Sequence, residues 1–329
     1  MENYVKKLLS EASHQQCEDI YISPKKDKYQ VSLRLGEKLT LLEQLSLEEG
    51  SRLIRYFKYQ AHMDVGERRL PQDGAYYYND GKNFVELRLS TIANYLLQES
   101  LVLRLLHQNK EQKEALFTHP LQAKFSYFLR KKSGLLLFSG PVSSGKTTLI
   151  YDLLGKRYET SPCSVITMED PVEIKDERFL QTQVNMKAGV DYGALIKASL
   201  RHHPDILVIG EIRDELTARM AIRAALTGHL VIATIHAKNC KGVLNRLKEL
   251  DITPEQLLQT LGLITSQRLV PTVEGHRQLV IEAVMEKQIQ PLIKNQKFEN
   301  YRTLNDELEE LLKHGKISQN TYEAYCLEG

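Results

Sequence analysis

The chain has 329 residues, of which 42% are hydrophobic, so it is long enough to form two domains that each bury a core. Its 44 basic and 42 acidic residues give a net charge of +2 and are mixed along the sequence, so charge alone gives no case for nucleic-acid binding. No apolar run approaches the ~18 residues of a membrane-spanning helix, and we expect no signal peptide at the polar N-terminus. The four cysteines form no C-x-x-C pair, which indicates free thiols of a cytosolic protein rather than a zinc or redox site.

Residues 1–107 show the mixed helix and hairpin pattern of a smaller α+β domain. The predicted elements are a helix over residues 5–18, strands over 19–22 and 30–35, a helix over 46–61, and strands over 75–79 and 84–90 joined by a turn at 79–82. The second helix begins at a capping box, in which Ser46 and Glu49 are expected to accept hydrogen bonds from each other's backbone N–H groups.

A polar segment over residues 108–120 ends at a proline and is predicted to be a linker. From residue 121 to residue 275, strand-like runs alternate with helical ones, which is typical of an α/β domain built on a parallel sheet. Strands are predicted over 135–139, 164–168, 206–209 and 230–235, and helices over 148–158, 192–202 and 215–226. Residues 276–329 are predicted to form a mostly helical tail, with helices over 304–313 and 320–327.

The most informative feature is the run Gly-Pro-Val-Ser-Ser-Gly-Lys-Thr at residues 140–147, which fits the phosphate-binding pattern G-x-x-x-x-G-K-[ST]. It lies between a predicted buried strand and a predicted helix, and a chance match in a chain of this length has odds of roughly 1%. Backbone N–H groups of such a loop surround a triphosphate, while Lys146 reaches the β- and γ-phosphates and the Thr147 hydroxyl ligates Mg²⁺. The predicted nucleotide contacts are Gly140, Pro141, Val142, Ser143, Ser144, Gly145, Lys146, Thr147 and Thr148.

Two carboxylates stand at the ends of neighbouring predicted strands, where hydrolysis requires groups that support Mg²⁺ and orient water. Glu169 follows the strand over 164–168, and Glu211 follows the strand over 206–209. Because ligands of open α/β sheets bind beyond the carboxyl ends of the strands, both side chains are predicted to face the phosphates. One would orient the attacking water and the other would support the metal, partly through water; we favour Glu211 as the base, and solvated loop carboxylates are the alternative.

Two histidines bracket the predicted strand over 230–235. An imidazole can hydrogen-bond a γ-phosphate oxygen and respond to its loss, and His236, which follows the strand, is our candidate for this sensor. A metal site built by His229 and His236 is not indicated, because they lie seven residues apart across a strand and no cysteine accompanies them.

These motifs resemble, in order, those of the secretion ATPases of type II secretion and type IV pilus assembly. The matching stretches are the P-loop at 140–147, an aspartate box at 167–173, a Walker B segment at 204–214, a histidine box at 227–236, and a closing Ser-Gln-Arg-Leu-Val run at 266–270. Residues 67–74, 87–91 and 101–104 also fit, so the resemblance covers roughly residues 15–275.

The resemblance implies a fold and an assembly. The fold would be α/β, with a RecA-like P-loop ATPase domain preceded by a smaller α+β, PAS-like domain, and the protein would form a homo-hexameric ring with ATP and Mg²⁺ between the two domains. Arg88 is a candidate to approach the triphosphate from the N-terminal domain, as are Arg68, Arg69 and Arg104. The implied partner is a membrane platform protein, with the ring peripheral at the inner face of the cell membrane and no direct contact with nucleic acid.

Departures from the family pattern narrow the resemblance. Ala75 stands where the family often has arginine, residues 271–274 show no start of a four-cysteine zinc insert, and the N-terminus is short. A compact, zinc-free chain is similar to the competence ATPases of Gram-positive bacteria, which power a pilus for DNA uptake. The alternatives are a type II secretion or pilus retraction ATPase and, from another class, a RecA-like DNA-binding ATPase; a small-molecule kinase would need a lid and an acceptor site that we do not find.

Overall fold

The computed structural model describes residues 1–15, 17–36, 38–79, 84–106, 121–296 and 301–327. The chain forms two compact units, Met1–Lys110 and Glu111–Gly329, and each buries its own apolar side chains. The linker predicted over 108–120 and most of the turn predicted at 79–82 lie outside the described residues. Within the described ranges, every helix is too short or too polar to cross a lipid bilayer.

The N-terminal unit consists of a six-stranded antiparallel sheet with two helices packed on it. Its elements are α1 (Glu2–His14), β1 (Asp19–Pro24), β2 (Lys28–Leu35), β3 (Lys38–Ser46), α2 (Leu47–Gln60), β4 (Gln72–Asn79), β5 (Phe84–Ala93) and β6 (Glu99–Leu106). The strand order is β3-β2-β1-β6-β5-β4. Strands β3 and β6 were not predicted. Strand β3 is a largely exposed edge strand in which the alternation of polar and apolar side chains is interrupted at Leu41 and Leu42.

The helices of this unit follow local signals in the sequence. Ser46 and Glu49 form the predicted reciprocal capping box at the start of α2. Helix α1 ends at His14 rather than at residue 18, because the N–H of Glu18 already donates to Arg34 O of β2 at 2.9 Å. The chain therefore joins the sheet earlier than the apolar pattern indicates.

The second unit is built around a seven-stranded sheet. Its strands are β7 (Gly134–Ser139), β8 (Val165–Glu169), β9 (Leu180–Gln183), β10 (Ile206–Ile209), β11 (Leu230–Ile235), β12 (Leu261–Pro271) and β13 (Arg277–Met285). The strand order is β13-β12-β7-β11-β10-β8-β9. The predicted α/β class is confirmed, but the sheet is mixed, because β13 pairs antiparallel with β12 while the other pairs are parallel. The segment predicted as a mostly helical tail thus begins with a strand of this sheet.

Helices cover both faces of the seven-stranded sheet. They are α3 (Gln122–Phe128), α4 (Lys146–Thr160), α5 (Tyr192–Leu200), α6 (Glu215–Leu226), α7 (Cys240–Glu249), α8 (Pro254–Thr260), α9 (Glu286–Ile293), α10 (Leu304–Lys313) and α11 (Gln319–Tyr325). Along β7, Leu135 and Leu137 enter one apolar core while Leu136 and Phe138 enter the other. Successive side chains of a strand point to opposite faces of the sheet, and both faces are buried here. This explains why the sequence of β7 is a continuous hydrophobic run.

The last two helices pack on the β12–β13 hairpin. Leu304 and Leu308 of α10, together with Ile317, form a small buried cluster with Val270 and Val280. The C-terminal helices are therefore part of the second unit and lie against the strands at one edge of its sheet.

Candidate nucleotide-binding site

The loop over residues 140–147 connects β7 to α4, as predicted. Gly140 (φ 147°), Ser143 (φ 60°) and Gly145 (φ 80°) have positive φ, so the chain turns sharply before it enters the helix. Gly145 is the N-cap of α4, and because it has no side chain it makes no capping hydrogen bond. The first N–H groups of the helix are therefore available to an anion. Thr147 and Thr148 lie in the first turn of this helix, while Pro141 and Val142 are exposed.

Strand β12 contacts this loop through Gln267. Gln267 Nε2 donates to Ser144 O at 2.8 Å, and a Cβ added to Gly140 would lie 2.5 Å from Gln267 O and 2.6 Å from Ser144 Oγ. Ser144 Oγ is buried and has no hydrogen-bond partner among the described residues. A close-fitting loop with an unpartnered buried hydroxyl at a helix N-terminus suits a phosphate ligand.

Lys146 is held inside the loop. Its Nζ donates to Gly140 O at 3.0 Å and to Pro141 O at 2.8 Å. Burial lowers the pKa of Lys146, and the nearby charges of Glu211 and Glu173 oppose that effect. An anion bound in the loop would stabilise the charged ammonium, so the side chain is suited to a phosphate group.

Glu211 and His236 meet beside the loop. His236 Nε2 lies 3.3 Å from Glu211 Oε1, and His236 Nδ1 lies 3.0 Å from Gly140 O. Because a carbonyl oxygen only accepts, the Nδ1 contact is a hydrogen bond when Nδ1 carries the proton. The ring links the ends of β10 and β11 to the P-loop. Arg213, which the sequence analysis missed, donates from Nε to Glu211 Oε2 at 2.7 Å and lies 3.5 Å from Asp170.

Glu169 has a different environment from Glu211. It is the last residue of β8 rather than the residue after it, and it is only 5% exposed. Tyr151 OH donates to Glu169 Oε1 at 2.5 Å, and Thr167 Oγ1 donates to the same oxygen at 2.7 Å. Burial raises the pKa of Glu169, while the hydrogen bonds from Tyr151, Thr167 and Gln181 oppose that effect. The two carboxylates at this edge of the sheet are therefore not equivalent.

The other predicted site residues are His229 and the candidate arginines. His229 precedes β11, at the end of the strand opposite His236, where its carbonyl accepts from Gly134 N at 3.2 Å. The candidate arginines belong to the N-terminal unit: Arg88 pairs with Glu86 at 2.9 Å, Arg104 with Asp19 at 2.9 Å and Arg69 with Glu67 at 3.8 Å, while Arg68 is exposed. Arg88 and Arg104 are directly opposite each other on β5 and β6.

Residues 266–270 were identified from the sequence only as a family motif, and no role in the site was predicted for the polar residues of β12. Thr265, Ser266, Gln267 and Arg268 are all buried in a strand whose other residues are mainly apolar. Ser266 Oγ and Arg268 Nη2 donate to Lys238 O at 3.3 Å and 2.7 Å. Four consecutive polar residues inside an apolar run are the signal that could have identified this strand as part of the site.

Replacing Gly140 by alanine is expected to destabilise the protein and to weaken nucleotide binding. The positive φ and the close approach of Gln267 O leave no room for a Cβ, and strain of this kind costs on the order of 1–3 kcal/mol. Thermal denaturation should show a melting temperature several degrees below that of the wild type.

A matched control is Gly155→Ala in α4. Its Cβ would meet only the end of the Arg178 side chain, at 3.0 Å, and alanine favours a helix over glycine by about 1 kcal/mol. This variant should melt at or above the wild-type temperature. A Gly140→Ala protein that melts with the wild type would contradict the geometry described for the loop.

Comparison with known proteins agrees with the resemblance seen in the motifs. The family described as Type II/IV secretion system protein matches residues 1–316. The competence protein ComGA of Bacillus subtilis is 36% identical, and the match covers 99% of this chain and 98% of that protein. The type IV pilus assembly ATPase PilB of Thermus thermophilus is 37% identical over 84% of this chain, which is 31% of its own length.

A solved structure agrees in fold. The ATPase DotB of Legionella pneumophila superposes with a TM-score of 0.80 at 20% identity, and the match covers 98% of this chain and 94% of that one. Identity this low shows the fold alone. The family match, by contrast, extends over both units of the chain and includes the P-loop, Glu211 and His236. The chain therefore belongs to the type II/IV secretion system protein family.

Proposed function

We propose that this chain is a motor that hydrolyses ATP and powers assembly of a type IV pilus-like competence apparatus for DNA uptake. The observation that carries the hydrolytic part is the meeting of the P-loop, Glu211 and His236, with His236 3.3 Å from Glu211 and 3.0 Å from Gly140 O. ATPase activity is named in family relatives such as PilB. The competence role is supported by the match to ComGA over nearly the full length of both chains.

The P-loop residues would bind the triphosphate. In this proposal Lys146 neutralises the β- and γ-phosphates, and the N–H groups at the start of α4 surround them. Bound Mg²⁺ would supply positive charge to the phosphates. The residues that would hold it are Thr147 with Glu211 and Glu169, partly through water, a set of oxygen donors that suits this hard cation.

Glu211 is our candidate to orient the attacking water. Its carboxylate is partly exposed and lies between His236 and Arg213, whereas Glu169 is enclosed by Tyr151 and Thr167. A base needs access to water and a partner that holds its orientation, and Glu211 has both. This assignment keeps Glu169 as support for the strand end and for the metal.

His236 would act as the γ-phosphate sensor. It contacts the P-loop backbone through one ring nitrogen and Glu211 through the other, so a change at the phosphate reaches both groups. A motor requires different affinities of its conformations for ATP and ADP, since a ligand shifts an equilibrium only through such a difference. We propose that the difference in affinity for ATP and ADP arises at His236.

We further propose a RecA-like ATPase domain from residue 121 onward, a linker over 108–120 and a PAS-like domain over 1–107. In a homo-hexameric ring, Arg88 would help to neutralise the triphosphate, and the ring would act on a membrane platform protein at the inner face of the cell membrane. The motor needs no direct contact with nucleic acid. A DNA-binding ATPase would need several aromatic side chains on which bases stack. In the tyrosine run, Tyr76 and Tyr78 pack against the N-terminal core, and Tyr77 is the exposed member of the three.

Deletion of the gene is expected to abolish transformation while leaving protein export and twitching motility at wild-type levels. The motor would be needed only for the pilus that takes up DNA. A plasmid that encodes the wild-type chain should restore transformation, and one that encodes the Lys146→Ala variant should not. Loss of export or of motility with normal transformation would instead favour a type II secretion or pilus retraction ATPase.

A further inference from the structure

A buried carboxylate outside the nucleotide site joins two distant segments of the chain. Glu282 lies on β13 and is 1% exposed. Its Oε1 accepts from Cys240 N at 2.8 Å and from Tyr301 OH at 2.6 Å, and its Oε2 accepts from Leu304 N at 3.3 Å. A carboxylate removed from water is costly unless its oxygens are hydrogen-bonded, so the positions of these donors depend on one another.

The first segment leads directly to the sensor histidine. Cys240 is the first residue of α7, and only three residues separate it from His236. Within this short connection, Lys238 O accepts from Arg268 Nη2 at 2.7 Å, and Ala237 O accepts from Ser139 Oγ at 3.1 Å. Together with these contacts, the hydrogen bond from Cys240 N to Glu282 positions the loop between β11 and α7.

The second segment leads to the C-terminal helices. Tyr301 and Leu304 stand at the start of α10, whose apolar side chains pack on β12 and β13. Burial and the charge of Glu282 both raise the pKa of Tyr301, so its hydroxyl remains a neutral donor at physiological pH. One oxygen, Glu282 Oε1, is thus shared between the sensor loop and the C-terminal segment.

We infer that Glu282 is a positioning residue for nucleotide turnover, through which the C-terminal segment, residues 301–327, is coupled to the loop that carries His236. The effect on nucleotide turnover rests on the proposed function. The coupling between the two segments does not depend on it. Displacement of Tyr301 from Glu282 removes one of the two donors to Oε1, so the carboxylate that accepts from the Cys240 N–H is held by one hydrogen bond fewer. The C-terminal helices thereby become a place from which a bound protein can change the rate of turnover.

The coupling is tested by hydrogen exchange on the nucleotide-free protein. Tyr301→Phe removes only the hydroxyl that reaches Glu282, and we expect exchange at the N–H of Cys240 and its neighbours in α7 to become several-fold faster. The matched control is Tyr322→Phe in α11, a tyrosine that packs against the cluster formed by Leu304, Leu308 and Ile317; it should leave these amides unchanged. Unchanged exchange in Tyr301→Phe, or equal effects of both variants, would overturn the coupling.

The kinetic consequence is tested with Glu282→Gln, which keeps the shape of the side chain but replaces one acceptor oxygen by a donor. We expect kcat to fall about tenfold and the preference for ATP over ADP to shrink, while the Kd for ADP stays within about twofold. The double variant Glu282→Gln/Tyr301→Phe should be no slower than Glu282→Gln, since both changes remove the same connection. An unaltered kcat in Glu282→Gln, or losses of kcat that add up in the double variant, would overturn the inference. If the wild-type chain did not hydrolyse ATP, the proposed function would be refuted instead. The hydrogen-exchange experiment would still decide whether the two segments are coupled.

Discussion

Replacing Lys146 by alanine is expected to reduce ATP turnover by about two to three orders of magnitude, the usual effect of removing one preorganised charge-stabilising group. The ammonium lies within the loop, 3.0 Å from Gly140 O and 2.8 Å from Pro141 O, where alanine offers no positive charge to the phosphates. Steady-state phosphate release by the purified variant measures the loss. Turnover at the wild-type rate would refute the nucleotide site.

The same substitution is expected to preserve the fold. Burial lowers the pKa of Lys146 in the folded chain, so the protonated side chain opposes folding at every pH below its folded pKa, and this penalty disappears as the group loses its proton at higher pH. At neutral pH the nucleotide-free variant should therefore melt at or above the wild-type temperature. Lys156→Ala is the matched control, since Lys156 lies on the same helix but pairs with Asp152 at 2.8 Å; it should keep full turnover.

Replacing Glu211 by glutamine is expected to lower kcat by about 10²–10³-fold while nucleotide binding is retained. Glutamine preserves the size of the side chain and its contact with Arg213, but it lacks the charge that polarises water. Fluorescent nucleotide binding and single-turnover hydrolysis would separate the two effects. Glu215→Gln is the matched control, because Glu215 is exposed on α6 and pairs with Arg219 at 2.8 Å.

The companion variant Glu169→Gln distinguishes the two carboxylates. Burial already raises the pKa of Glu169, so a neutral amide costs little there and the loss of kcat should be smaller than for Glu211→Gln. If Glu169→Gln were inactive and Glu211→Gln active, the roles that we assign to the two residues would be exchanged.

Local signals predicted much of the fold. The helix predicted over 215–226 has the observed ends Glu215–Leu226, and it begins after Asp214, an N-cap whose side chain accepts from Thr217 N. The strands over Ile206–Ile209 and Leu230–Ile235 were also predicted as observed, since buried parallel strands are continuous apolar runs. The residues that determine where these elements begin and end lie within the elements or directly beside them in the sequence.

Other elements depend on partners that are distant in the sequence. Strand β12 contains four buried polar residues and was not predicted as a strand, since their donors and acceptors lie in the P-loop and in the loop after β11. Strand β13 was assigned to a helical tail, because only its pairing with β12 makes it a sheet edge. Patterns of apolar residues do not reveal such contacts.

The sequence by itself predicted a nucleotide as the ligand of this site and hydrolysis as its chemistry. The P-loop, the carboxylates at two strand ends and the histidine after a third strand are local motifs, and each is recognisable from neighbouring residues in the chain. Only the tertiary structure decided that Glu211 rather than Glu169 contacts His236, and that Glu282 joins the sensor loop to the C-terminal helices. The physical reason is that strand order and register bring together side chains that are tens of residues apart, and burial then determines which of them remain open to water.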